Sequence, residues 1–78
     1  MRLFGYQKDS DDLLKLDEVS IQCSIEELKK IIDFLNKVKV EHATVENKTD
    51  LCHSHFRDWE PERKKGEPDI IVVTKFEE

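Results

Sequence analysis

The sequence predicts an α+β domain in which a four-stranded, mostly antiparallel sheet carries one helix packed on one face. Two observations predict this fold: a long amphipathic segment lies in the middle of the chain, and two pairs of strand-like segments flank it. The resulting order is β-β-α-β-β, and two hairpins that share one helix suggest a single sheet. Seventy-eight residues suit one domain, which we place at residues 1–78.

The first predicted hairpin comes from the N-terminal third of the chain. Residues 2–7 are rich in apolar and aromatic side chains and predict a short strand, and residues 8–12 are polar and predict a turn. Residues 13–23 predict the second strand, although the apolar positions change parity partway along it. A bulge or kink near Asp17 and Glu18 would bring both halves of this strand onto one face.

The helix is predicted at residues 25–39. Ser24 suits the N-cap, and Glu27 three residues later completes a capping-box pattern, in which each side chain bonds the other residue's backbone N–H. The apolar residues that follow recur at helical spacing, so we expect them to form the stripe that packs on the sheet. That stripe consists of Leu28, Ile31, Ile32, Leu35 and Val38.

The C-terminal part of the chain predicts the second hairpin. Residues 51–56 alternate and predict the third strand, residues 40–50 before them predict a loop, and residues 57–68 are too charged for a sheet interior. Residues 69–76 predict the fourth strand. The run at residues 70–73 is apolar on both parities, which is typical of a central strand covered on both faces.

One helix covers only one face of a sheet, so half of the run at residues 70–73 is expected to face away from it. Three covers are possible: the segment at residues 57–68 with Trp59, a second copy of the chain, or a different protein. The sequence slightly favours a homodimer through the open sheet face, because the covering segment offers few apolar side chains besides Trp59.

Composition excludes several classes of partner. The chain has 13 basic and 18 acidic residues and a net charge of −5, which disfavours nucleic acid and anionic membranes and favours a basic protein. The basic run at residues 63–65 has glutamates on both sides. The chain shows no membrane-length apolar run or signal peptide, and it has only two cysteines. A cytoplasmic location is therefore expected.

The segment from Cys52 to Trp59 concentrates the chemically active side chains. On a strand, His53 and His55 share a face and could converge on a metal ion, whereas Cys52 points the other way and no further ligand has diagnostic spacing. Alternatively, Cys52, Ser54 and Phe56 face the helix as small or apolar core residues, while His53 and His55 lie on the open sheet face and hydrogen-bond across strands. A third interpretation is a protein-recognition surface. Its residues would be His53, His55, Arg57, Asp58 and Trp59.

Enzymatic motifs are not evident in the sequence. Cys52 and His53 are adjacent and would face opposite ways on a strand, and the chain lacks nucleophile-elbow, phosphate-loop and dinucleotide-binding patterns. We therefore predict a non-enzymatic protein-binding module without a cofactor or a metal. The alternative is a small histidine-based or metal-dependent enzyme centred on His53 and His55.

Three features resemble the small acidic immunity proteins encoded beside bacterial polymorphic toxins. They are the helix opening Ser24-Ile25-Glu26-Glu27-Leu28, the His-x-His-Phe strand at residues 53–56, and the closing strand Pro68-Asp69-Ile70-Ile71-Val72-Val73. The resemblance spans residues 19–73. It implies a cytoplasmic inhibitor that binds a cognate toxin domain, and it implies neither a cofactor nor catalytic residues.

Overall fold

The computed structural model describes residues 1–44, 51–62 and 66–75, which form two antiparallel β-hairpins and two helices. In chain order the elements are β1 (Leu3–Tyr6), β2 (Leu13–Leu16), α1 (Ile25–Ala43), β3 (Leu51–His55), α2 (Phe56–Trp59) and β4 (Ile71–Lys75). In this part of the chain, β1 pairs only with β2 and β3 only with β4. The predicted single four-stranded sheet with one helix is therefore wrong.

The central-strand prediction for residues 70–73 fails for a definite reason. The strand β4 has β3 as its sole described neighbour, and Ile71 and Val73 are 50% and 56% exposed on the face that carries His53 and His55. Apolar residues on both parities predict burial on both faces. In the structure one face of the hairpin is open. The apolar residues Ile71 and Val73 lie on that face, so they are not buried as the sequence predicted.

The N-terminal hairpin is shorter than predicted. Its register pairs Leu3 with Leu16 and Tyr6 with Leu13. In the connecting turn, Asp9 adopts a left-handed backbone conformation with φ of 62°. The strand β2 ends at Leu16 rather than at residue 23, so the change in apolar parity falls beyond the strand and no bulge is required to explain it.

The helix α1 begins as predicted and ends later. The Glu27 backbone N–H donates to Ser24 Oγ at 3.1 Å, and the Ser24 N–H donates to Glu27 Oε1 at 3.0 Å, which confirms the capping box. The hydrogen bond from the Ser24 backbone lowers the pKa of Glu27. The helix continues to Ala43, beyond the predicted end at residue 39, because no glycine or proline interrupts it.

The core lies on a different face of α1 from the one predicted. The buried residues are Ile31, Phe34 and Val38, which follow one another at helical spacing. The predicted stripe contained two of them but not Phe34, and its other members, Leu28, Ile32 and Leu35, are exposed. The buried face is rotated toward Phe34, which contacts the aromatic rings of α2.

The short helix α2 was not predicted, since its residues were assigned to the third strand and to a charged connecting segment. The strand β3 ends at His55, and Phe56 begins a single helical turn that the Glu60 N–H closes on the Phe56 carbonyl at 2.9 Å. The Phe56 N–H donates to the Ile70 carbonyl at 2.8 Å and ties α2 to the start of β4. The basic run at 63–65, loop positions 45–50 and position 76 lie outside the described residues.

Within the described ranges, no helix has both the length and the apolar character needed to cross a membrane.

Candidate functional site

An open groove of about 340 Å³ lies where α1, β3 and α2 meet. Four of the five residues predicted from sequence to form a recognition surface line it, namely His53, His55, Asp58 and Trp59. The helix α1 supplies the opposite wall, which includes Lys37 and Glu41. The groove thus brings four of the five predicted residues together.

Two rings of an aromatic cluster, those of Phe34 and Trp59, line the groove. Phe34 meets Phe56 edge-on, with ring centroids 5.3 Å apart, and lies 6.1 Å from the Trp59 ring. Phe56 and Trp59 are stacked, with centroids 5.8 Å apart and planes 24° from parallel. Such pairs stabilise beyond simple area burial. The ring contacts therefore hold Trp59 against Phe34 of the core. Ile71 and Val73 of β4 remain exposed.

An ion pair links α1 to the residue that follows α2. Lys30 Nζ of α1 lies 3.2 Å from Glu60 Oε2, just after α2. This hydrogen bond is the main reason that the pKa of Lys30 is raised. Glu60 is therefore engaged within the fold.

Asp69 organises the junction between β3, α2 and β4. Its Oδ2 accepts a hydrogen bond from His55 Nδ1 at 2.8 Å, and its Oδ1 accepts from the backbone N–H groups of Arg57 at 2.8 Å and Ile70 at 2.9 Å. Because a carboxylate only accepts, His55 Nδ1 must carry the proton. Burial acts to raise the pKa of Asp69, but the three hydrogen bonds outweigh it and lower the pKa.

Arg57 is the predicted residue that does not line the groove. Its backbone N–H and its guanidinium both face Asp69, with Nε 3.7 Å from Oδ2, and the side chain is largely exposed. Arg57 therefore supports the junction that orients His55. The recognition role predicted for Arg57 stays a prediction.

His42 joins α1 to the second hairpin. Its Nε2 lies 2.9 Å from Ser54 Oγ, and its Nδ1 lies 2.7 Å from Thr74 Oγ1. A hydroxyl–imidazole pair with a third group behind it has the outline of an activated nucleophile. Here the third group is a neutral hydroxyl, which orients the ring but offers no charge to stabilise an imidazolium.

His53 and His55 share a face of β3, as predicted, and their rings meet at 78° with centroids 5.8 Å apart. Ser54 on the opposite parity faces His42 of α1, and Phe56 reaches Phe34 of the same helix. Among the described residues, no group of three or more histidine, cysteine or acidic side chains is arranged to hold a metal ion.

Sequence reasoning missed the contribution of α1 to the groove. The helix was predicted to end at residue 39, which left Glu41 and His42 in a loop. One signal could have placed them: His42 follows Val38 by four residues and so continues the buried face by one turn. Asp69 had no such signal, because its partner His55 is fourteen residues away.

Comparisons with protein-family models, with curated proteins and with solved structures find no match for this chain. The geometry of the groove is therefore the basis for the functional proposal.

Proposed function

We propose that this chain is a non-enzymatic protein-binding module whose recognition surface is the groove between α1, β3 and α2. In this proposal it acts in the cytoplasm, as an immunity protein would, by occupying a cognate toxin domain. The observation that carries the proposal is the groove itself, in which Trp59 packs against Phe34 and Phe56 and lies beside exposed polar side chains. Tryptophan set in a partly desolvated recess is typical of binding hot spots.

The hydrogen bonding of His42 supports binding rather than catalysis. Both of its ring nitrogens are already engaged inside the fold, by Ser54 and Thr74. A general base needs a free nitrogen within reach of a substrate proton. The internal bonds instead hold the walls of the groove in one arrangement, which lowers the cost of ordering them when a partner binds.

Capture of a partner from the native host tests the proposal. Tagged wild-type protein should retain one dominant protein, and a His53→Ala/Asp58→Ala variant should lose it, because both side chains are exposed in the groove and their removal leaves the core intact. The matched control is Asp11→Ala, an exposed carboxylate near the distant hairpin. Equal retention by all three proteins, or nothing above background with wild type, would count against the proposal.

A histidine-based enzyme is the second candidate, and the Ser54–His42 pair at 2.9 Å favours it. An activated Ser54 would be labelled by a fluorophosphonate, and the label would be lost in Ser54→Ala. We expect no labelling of either protein. For the metal-dependent version centred on His53 and His55, protein purified without a chelator should hold under about a tenth of an equivalent of transition metal.

A homodimer remains the proposal for the exposed face of β4. Ile71 and Val73 lie beside His53 and His55 on one side of the second hairpin, and a twofold interface needs only one self-complementary patch. Light scattering over a range of concentrations tests it. A mass that stays at 9.2 kDa would reject the dimer.

A further inference from the structure

We propose that the groove receives an arginine or lysine side chain of the partner protein. Asp58 and Glu41 would supply its carboxylate contacts and Trp59 its aromatic contact. This inference rests on the proposed function and names the chemistry of the partner. It is carried by three observations: the charge lining the groove, the availability of one carboxylate, and the partly exposed ring of Trp59.

The charged side chains that line the groove are Lys37, Glu41 and Asp58, so acidic groups outnumber basic ones. Lys37 Nζ and Glu41 Oε1 are 3.9 Å apart, at the outer limit of an ion pair, and both side chains are more than half exposed. Exposed helix pairs of this kind are weak. Glu41 is consequently free to exchange Lys37 for a cation brought by a partner.

Asp58 is the carboxylate of this region that the fold leaves available. Its neighbours Glu60 and Asp69 are engaged, the first by Lys30 at 3.2 Å and the second by His55 at 2.8 Å. Across the described residues, Asp58 has neither a salt bridge nor a side-chain hydrogen bond, and it is exposed. An incoming cation would therefore meet an uncompensated negative charge at this point.

Trp59 adds the feature that distinguishes a side-chain cation from a simple counterion. Tryptophan presents the most favourable aromatic face for a cation, and a planar guanidinium can stack on it while bonding a carboxylate. The rings of Phe34 and Phe56 hold Trp59 in place, and it remains partly exposed at the groove. The net charge of −5 would also steer a basic partner toward the chain.

The tryptophan makes the test direct, since Trp59 is the sole tryptophan of the chain and its fluorescence reports on the groove. The probes are N-acetyl-arginine amide and, as the uncharged match, N-acetyl-norleucine amide. We expect a saturable fluorescence change with arginine at millimolar concentration and a much weaker one with norleucine. Asp58→Asn should weaken arginine binding about tenfold, Lys37→Gln should strengthen it, and Asp11→Asn should leave it unchanged.

Two results would overturn the inference. One is an equal response to arginine and norleucine up to about 50 mM, well beyond the millimolar range. The other is arginine binding that neither Asp58→Asn nor Lys37→Gln alters. Partner capture separates this failure from failure of the proposed function. Suppose that the His53→Ala/Asp58→Ala variant loses the partner but the wild-type protein does not bind the arginine probe. The protein-binding function would then be supported, and only the basic side chain as its ligand would be rejected.

Discussion

The two hairpins of this protein are held in place by different interactions. The second hairpin is tied to α1 and α2 through side chains: His42 of α1 bonds Ser54 and Thr74, and Asp69 accepts from the Arg57 backbone N–H of α2. The first hairpin is held by the backbone pairing of β1 with β2, and its large apolar side chains are mostly exposed. Those exposed side chains are Phe4, Tyr6, Leu13 and Leu14.

This difference shows which part of the molecule holds the packed core and which part carries the groove. A two-stranded hairpin without a packed face is marginally stable in water. The buried residues Ile31, Phe34 and Val38 all lie on α1, and Phe34 packs on α2. The groove is therefore built on the part of the molecule with specific tertiary contacts, as a preformed binding site requires.

Hydrogen exchange should give the largest contrast between the two hairpins. Backbone amides of β1 and β2 should exchange at least about 100-fold faster than those of α1 around Phe34, because local opening of the hairpin exposes little buried surface. Amide exchange followed by NMR measures both regions in one sample. Equal protection of β1, β2 and α1 against exchange would contradict the contrast between the two hairpins. It would show that the chain unfolds as one cooperative unit.

Removal of the buried Phe34 ring should produce the largest change in the free energy of unfolding. Phe34→Ala should lower the free energy of unfolding by about 3–5 kcal/mol, because the side chain is 2% exposed and contacts two aromatic rings. Urea unfolding measures the change. Phe4→Ala, at a half-exposed position of β1, is the matched control and should cost about 1 kcal/mol. Similar losses at both sites would contradict the contrast between the hairpins.

Removal of the charge at the Asp69 junction should have an intermediate effect. Asp69→Asn should cost about 1–3 kcal/mol at neutral pH, because it weakens the bonds from His55 and from two backbone N–H groups. The folded-state pKa of Asp69 lies below its ordinary value of about 3.9. Its contribution is therefore complete above about pH 4 and is lost as the pH falls through the lowered pKa.

Urea unfolding of wild type and Asp69→Asn at neutral and acidic pH checks both parts of this prediction. The difference between the two proteins should shrink in acid, since protonation removes the charge that the variant lacks. Asp11→Asn, an exposed carboxylate, serves as the control and should follow wild type throughout. A difference that does not change with pH would mean that the charge of Asp69 is not what stabilises the junction.

The smallest expected effect belongs to the hydroxyls around His42. Ser54→Ala should cost about 0.5–1.5 kcal/mol, as expected for one partly buried hydrogen bond, and Thr74→Val should cost a similar amount. Thermal or urea unfolding measures both. Ser20→Ala, at an exposed position outside the hairpins, is the control. A loss near zero for both variants would show that α1 is held on the second hairpin by the aromatic cluster alone.

Local signals in the sequence predicted several of the elements. The capping box at Ser24 and Glu27 placed the start of α1, and alternation placed β3 and β4 within one or two residues. The clustering of His53, His55, Asp58 and Trp59 was visible because these residues are close together in the chain. Such features depend on neighbours within one turn or one strand, so a single sequence contains them.

Long-range arrangement was not predictable in the same way. Nothing local distinguishes two separate hairpins from one four-stranded sheet, because both use the same strands and turns. The choice between Leu35 and Phe34 as the inward residue depended on α2, whose aromatic side chains were assigned to a strand and a connecting segment. The partners of Asp69 and His42 likewise depend on folding of the chain rather than on spacing.

Because His42 bridges α1 and the second hairpin through two hydroxyl groups, this linkage tolerates a change in the tautomer of the ring. Each hydroxyl, of Ser54 and of Thr74, can rotate to donate or to accept. Either neutral tautomer of the ring therefore finds two complementary partners without any heavy atom moving. A change of tautomer at His42 only reverses the direction of the two hydroxyls, so the wall of the groove that α1 forms keeps its position in both tautomers.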